Sequence, residues 1–380
     1  MIKIKNYSRE LAVLAAILIL VLVFTILDKS YFTISNLIDI IELATINSLI
    51  AIGITFTIIT GGIDLSVGSI FAIVIVTVGH LCVSQVNPVL AIISGALLGI
   101  FMGIVNGVLI TKMHLQPFIA TLGTMSVYRG VAYVVTGGWP IIGIPNSYRY
   151  IFISNLSEIP SSVIVMLIFA FITHIILKKL RIGNYLFAIG GNEEAAKLSG
   201  VNVNITKITA YAMCGLGSAL AGMIMLANLG TAEPATGQGY ELEAIAAAAI
   251  GGASLSGGKG SIVGTLLGAI LLASLKIGLI FHDYRPQQEI WWTVYSVDKR
   301  WCNRRMLRIM FGMAFEVFGC KRISLLVNKS NTASLNFVKK LGFQQEGMFR
   351  AYRDNGEDCC IFGMLKNECK WIKEKEKINE

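Results

Sequence analysis

The stretch KKLRIGNYLFAIGGNEEAAKLSGVNVNITK, residues 178–207, decides how the chain is read. It is a polar interruption between two long apolar runs, and it carries a helix signal of its own. Asn192 suits an N-cap, because its side-chain oxygen can accept from the open amides of a first turn. Glu193 and Glu194 follow, where the positive end of the helix dipole favours carboxylates. Glu193 and Lys197 stand four apart, the favourable order for a surface ion pair. Gly200 is placed to close the helix in a left-handed conformation. The pattern predicts a helix of about two turns, roughly 10 Å long. Such a helix fits a solvated surface element, and it fits a docking element for a cytoplasmic partner. The flanking sequence has to decide between them.

Composition places those flanks in lipid. The chain is 54% hydrophobic and 14% charged, with a mean hydropathy of +0.68. That lies outside the range of soluble domains and defines a polytopic membrane protein. The net charge is +9, yet more than half of the Lys and Arg lie beyond residue 282. The tail has no basic stripe with interleaved aromatics, so nucleic acid is set aside as a partner. Five of the seven cysteines (Cys302, Cys320, Cys359, Cys360 and Cys369) are also there. None has zinc-type spacing, and they read as reduced thiols.

A short basic N-terminus (Lys3, Lys5, Arg9) leads into the apolar stretch Leu11–Leu27, a retained first span rather than a cleaved signal. Further spans are predicted at about 44–60, 65–83, 89–110, 117–136, 161–178, 207–228, 241–255 and 261–281. The segment 241–255 is short and ends in GGASLSGGKG, so it reads as a broken or re-entrant helix. The positive-inside rule puts the N-terminus, Lys112 and the Lys178–Lys179–Arg181 cluster in the cytoplasm. Loop 137–160 then lies outside, and the Asn192 helix inside. With nine spans the tail emerges outside, and with a re-entrant 241–255 it returns to the cytoplasm.

Glycines at 95, 99, 103 and 107 recur every four residues on one face of the fourth span. Ser218 and Gly222 repeat that spacing, as do Gly264 and Gly268. Small residues so spaced let helix backbones meet closely in lipid. Asp64, in TGGIDLSVGS, is a carboxylate near or within the membrane. Such an acid suggests a place on a translocation path, and it equally fits an N-cap for a helix starting at Leu65. Glu241 and Glu243 in GYELEAIAAAAIGG pose the same choice between a polar path and the headgroup region. No phosphate-binding GxxxxGK[ST], no HExxH and no paired metal ligands occur, so a chain that moves solute with ATP needs its ATPase on another subunit.

Four segments carry a family resemblance: TGGIDLSVGS (60–69), QPFIATLGTMSVYRG (116–130), GGNEEAAKLSGVNVNITK (190–207) and GYELEAIAAAAIGGASLSGGKGSIVGTLLGA (239–269). Over about the first 280 residues the chain resembles the permease subunit of bacterial ribose-type sugar ABC importers. That resemblance implies a multi-pass protein of the bacterial inner membrane, embedded in lipid and paired with a second permease copy. It also implies cytoplasmic ATPase subunits that hold the ATP, an extracytoplasmic sugar-binding protein, and no cofactor on this chain. Residues 190–204 become the segment that couples to the ATPase, with Gly191, Asn192, Glu193, Glu194, Ala195, Lys197 and Gly200 as its residues. Asp64 and Glu243 become candidates for the translocation path.

The family continues with one more apolar helix, whereas here the likeness ends near Leu279–Phe281. From 296 to 368 the chain resembles the C-terminal half of a GNAT N-acetyltransferase, chiefly through NTASLNFVKKLGFQQEG (331–347). Expected elements are a strand at 289–297 with an unpaired edge, a helix near 303–318, a strand at 321–328, a helix at 332–341 and a hairpin across 343–366. The resemblance implies a CoA side at Arg300, Arg304, Asn331 and Ser334, although Asn331 also reads as an N-cap. Residues 299–305 contain no glycine, where the family uses a Gly-rich turn to hold the pyrophosphate, and Val338 replaces a tyrosine. Acetyl-CoA enters only if this tail is active. The fold class expected is therefore an all-α polytopic membrane bundle (1–282) followed by a small, incomplete α/β tail (283–380). The function classes are a transport subunit, an acetyltransferase, or a fusion of a truncated permease with an inactive fragment.

Overall fold

A computed structural model describes residues 8–27, 29–156, 159–278, 281–285, 289–292, 307, 311–312, 314–315, 320–350 and 356–371. The chain divides into two compact units, Met1–Val23 with Tyr31–Leu275, and Phe24–Ser30 with Lys276–Glu380. The first unit is helical. Its elements are α1 (Ser8–Leu27), α2 (Ile34–Ile59), α3 (Val67–Val83), α4 (Pro88–Lys112), α5 (Pro117–Thr136), α6 (Asn146–Ile153), α7 (Ser161–Lys179), α8 (Arg181–Gly191), α9 (Glu193–Leu198), α10 (Val203–Leu229), α11 (Tyr240–Ile250) and α12 (Ile262–Gly278). Two-residue strands β1 (Ile141–Ile142) and β4 (Thr231–Ala232) pair antiparallel, as do β2 (Asn155–Leu156) and β3 (Ile159–Pro160). Among the described residues five helices are long and apolar enough to cross a bilayer: α2, α4, α5, α7 and α10. Residues 10–26, α3 and 262–277 are shorter apolar helices.

Local sequence explains where these helices start. Thr33, Asn87 and Asn202 each accept from an amide in the first turn of α2, α4 and α10, and Pro88 and Pro117 occupy first-turn positions where a missing N–H costs nothing. The centre of the unit is α10, 27 residues and about 40 Å long. It is seated on the glycine stripe of α4. A Cβ on Gly103 would come within 2.2 Å of the Tyr211 carbonyl oxygen, and one on Gly99 within 2.6 Å of that of Gly215. Backbone therefore touches backbone, which only a residue without a side chain permits. Gly53 and Gly217 admit α2 in the same way, and Gly222 lies against Phe71 of α3. Gly264 and Gly268 seat α12 against Gly251 and Ala247.

The structure refines three expectations. The stretch 241–255 is an 11-residue helix, about 16 Å, well short of a span of roughly 30 Å. Yet the chain passes from the β1–β4 end of the bundle at Ala232 to the α8 end at Gly258, where Gly258 N donates to Ile59 O at 2.9 Å. The segment is a short helix with irregular flanks, part buried and part exposed, the broken form among those expected. The last apolar helix is described over Ile262–Gly278 and does not extend to 281, because Phe281 opens a strand. Two short helices, α6 and α8, appear where no helix was foreseen. Tyr148 of α6 is fully buried and donates to Met223 O, and Arg149 Nε donates to Ala227 O, so α6 clasps the end of α10.

The second unit is a five-stranded sheet in the order β5-β6-β7-β9-β8, made of β5 (Phe281–Arg285), β6 (Glu289–Trp292), β7 (Arg322–Asn328), β8 (Gln344–Phe349) and β9 (Cys359–Leu365). Only β6 and β7 are parallel. Helix α13 (Thr332–Leu341) joins β7 to β8. β6 is not an edge, because β5 pairs with it; the expected bare strand is covered. Phe311, Phe315, Phe343, Phe362 and Val338 form its core with Cys320 and Cys360.

Candidate functional site

The polar segment folds as three linked pieces. Helix α8 buries Gly183, Leu186 and Ile189 and exposes its opposite face. Gly191 ends it, with open space around its Cα. Asn192 then turns the chain in extended conformation and caps α9, its Oδ1 accepting from Ala195 N at 2.9 Å. The helix itself is six residues, shorter than the two turns expected, and Gly200 follows it with φ +83°. Of its residues Ala196 is buried, whereas Glu193, Glu194, Ala195 and Lys197 are exposed and Leu198 is 88% exposed. Glu193 does not take Lys197 as its partner: its Oε2 lies 2.6 Å from Lys207 Nζ, in the first turns of α10. The fold brings α10 back beside α9, and the less exposed Lys207 offers the better-held cation.

Beneath this segment lies a glycine joint that sequence alone did not reveal. A Cβ on Gly190 would sit 1.8 Å from Ile59 O and 2.4 Å from Gly258 N. The end of α8, the end of α2 and the SLSGGKG loop thus meet as bare backbone. The sequence trace of the joint is three GG dipeptides, at 61–62, 190–191 and 257–258.

Asp64 is fully buried, but it does not cap a helix at Leu65. Helix α3 begins at Val67 with Ser66 in the cap position. Asp64 Oδ1 accepts from Ser66 N at 2.9 Å and from Ser66 Oγ at 2.7 Å, and Asn106 Nδ2 donates to Ser66 Oγ at 2.7 Å and to Asp64 Oδ2 at 3.4 Å. The amide end of α3 and these donors offset the carboxylate, and among the described residues no ion pair reaches it. Glu243 is half-buried in the first turn of α11. No hydrogen bond joins it to Asp64 among those described. Arg129 was not singled out from the sequence, although a lone arginine inside an apolar span is a signal in itself. Its Nη1 donates to Pro234 O and Thr236 O and its Nη2 to Gly68 O, tying the irregular stretch before α11 to the first turn of α3.

In the second unit Asn331 caps α13, with Oδ1 accepting from Ser334 N at 3.0 Å. Arg300 and Arg304 lie outside the described residues. Val338 is packed in the core. Cys320, Cys359, Cys360 and Cys369 are buried thiols, and burial pushes the Cys320 thiol up. No cluster of potential metal ligands occurs among the described residues.

Glycine-seated apolar helices of spanning length, with a capped helix at one end, are the features of a polytopic membrane protein. Residues 36–296 match the family described as branched-chain amino acid transport system / permease component, and the chain belongs to that family. It is 45% identical over 273 residues to the ribose import permease protein RbsC of Bacillus subtilis (strain 168), covering 71% of this chain and 85% of that protein. The Escherichia coli (strain K12) RbsC is 42% identical over 279 residues, covering 72% and 87%. The D-allose transport system permease protein AlsC of the same strain is 36% identical over 263 residues, covering 69% and 81%. No solved structure matches significantly. The family match runs to residue 296, past the point near 281 where the resemblance was expected to end.

Proposed function

We infer that this chain is the membrane permease subunit of an ATP-driven importer for a ribose-type monosaccharide. The observation that carries the reading is the identity of 42–45% to ribose import permeases over most of their length. Membership of an ABC permease family implies an ATPase and an extracytoplasmic binding protein as partners, and a multi-pass inner-membrane location. A second permease copy completes the path, and the N-terminus lies in the cytoplasm. Residues 190–204 couple to the ATPase, with the capped α9 as the element that is pushed. Transport then follows from alternating access: closure of the ATPase pair moves rigid helices around a fixed route. Asp64 shapes the break before α3, and Glu243 borders the route on α11. ATP stays on the partner, and the chain binds no cofactor.

The tail is best read as an inactive GNAT-like fragment fused to a shortened permease. Its support is the lack of glycine at 299–305, the buried Val338 and the capping use of Asn331. Reconstitution with the ribose-type ATPase and binding protein in proteoliposomes tests the main reading. ATP-dependent accumulation of labelled ribose is the expected outcome, and equal uptake with and without the chain would refute it.

A further inference from the structure

We propose that the loop 254–259, SLSGGK, is a second contact between this chain and the ATPase subunit, beside the α9 segment. The inference rests on the coupling role assigned above to residues 190–204. The loop is held in a shape of its own: Gly257 N donates to Ser254 O at 2.8 Å and Ser254 N to Lys259 O at 3.0 Å. It is fixed to α8 at the glycine joint, where Gly257 and Gly258 have φ of +85° and +72° and stand against Gly190 with no side chain between them. Its tip points outward. Leu255 is 49% exposed, and Ser256 and Lys259 are exposed. A leucine and a lysine set outward on a braced turn repeat what α9 offers with Leu198 and Lys197.

The surroundings point to a protein partner with an acidic, partly apolar surface. Lys178, Lys179 and Arg181 are exposed at the start of the same segment, and Glu193 is already matched by Lys207. Against the one exposed carboxylate left, Glu194, stand Lys178, Lys179, Arg181, Lys197 and Lys259, so the face is net basic, with Leu180, Leu198 and Leu255 exposed on it. Beside the loop, His174, Leu177 and Lys178 of α7, Asn184 and Phe187 of α8, and Gly260–Ile262 enclose a cavity of about 220 Å³. That is room for a partner's side chain. The loop is continuous, backbone to backbone, with the segment that meets the ATPase, so a partner seated on α9 has this turn within its footprint. A push on either contact then reaches α2 through Ile59 O, and α11 and α12 through the loop itself.

The test uses the full chain in membranes with the ribose-type importer ATPase of the same genome. A photo-crosslinking benzoylphenylalanine replaces Leu255 in one variant, Leu198 in a second and the exposed Trp139 in a third as control. Covalent adducts to the ATPase from positions 255 and 198, and none from 139, are expected. An adduct from 198 alone overturns the second contact and leaves the coupling role of α9 standing. An adduct from 255 alone supports the loop as a contact and removes the α9 reading. Adducts to lipid only from 255, or none from either position, overturn the proposal. As a second measure, Lys259→Glu is expected to lower the ATPase co-purified with the chain several-fold. Unchanged recovery would contradict the charge argument.

Discussion

Glu193 and Lys207, fourteen positions apart, form an ion pair of 2.6 Å that ties α9 to the start of α10. With side-chain exposures of 47% and 16%, the pair contributes little to stability, about 0.2–1 kcal/mol. In the coupling role proposed for α9, the pair is the link through which a push on a short capped helix reaches α10. Replacing Glu193 and Glu194 with lysine is expected to leave the protein folded and to uncouple ATP hydrolysis from uptake, lowering sugar moved per ATP roughly 10-fold or more. The ratio of uptake to hydrolysis in proteoliposomes measures this. Undiminished uptake would count against the assignment.

A charge swap isolates the pair from its surroundings. Glu193→Lys alone and Lys207→Glu alone are each expected to impair coupling, and the double variant to recover part of the loss. Such a cycle reports the interaction between the two residues rather than their separate effects. Additive losses in the double variant would show that the pair has no share in coupling.

The glycine stripe gives a matched comparison. Gly103→Ala drives a methyl group into the Tyr211 carbonyl, whereas Gly123 has open space where a Cβ would stand. Gly103→Ala is expected to destabilise by ~1–3 kcal/mol or more, and Gly123→Ala to be neutral. Thermal unfolding of the detergent-solubilised protein compares them. The joint offers a second such pair: Gly190→Ala should impair both yield and coupling, whereas Gly191→Ala should leave yield unchanged.

Asp64 holds the break before α3. Asp64→Ala leaves Ser66 N and the Ser66 hydroxyl short of an acceptor inside the bundle, at a cost of about 1–3 kcal/mol per group. Asp64→Asn retains one acceptor oxygen and is expected to lose less. Membrane-inserted yield and ribose uptake separate the two variants. Equal loss would mean that the negative charge itself is needed.

The tail is expected to show no acetyl-CoA binding by calorimetry, because residues 299–305 lack the glycines that let a backbone approach a pyrophosphate. Measurable affinity would restore the acetyltransferase reading.

Local rules carried much of this structure into the sequence. The Asn192 and Asn331 caps, the left-handed Gly200 and the helix 332–341 each depend on residues a few positions apart, and all appear. The stripe at 95, 99, 103 and 107 is legible because a four-residue period survives without knowledge of the partner helix. What it meets, Tyr211 and Gly215, is not legible, since that pairing is set by the tertiary fold. The same limit explains the missed Glu193–Lys207 pair: sequence spacing offered Lys197, and folding supplied a less exposed cation. Helix α6 was hidden in a loop rich in Pro and Gly, and its order comes from Tyr148 and Arg149 bonding to α10. The segment 241–255 stayed ambiguous because 11 helical residues are too few for a span, and the irregular stretch after them is held by hydrogen bonds of its own turn that spacing does not reveal.

The central claim is that α9 faces the cytoplasm, where a partner can drive it. The most direct measurement is labelling of a Lys197→Cys variant with a membrane-impermeant maleimide, read above the background of the native thiols, which are buried at the six described positions. Reaction in inside-out vesicles and none in intact cells is the outcome this account predicts. Labelling of intact cells at that position would contradict it.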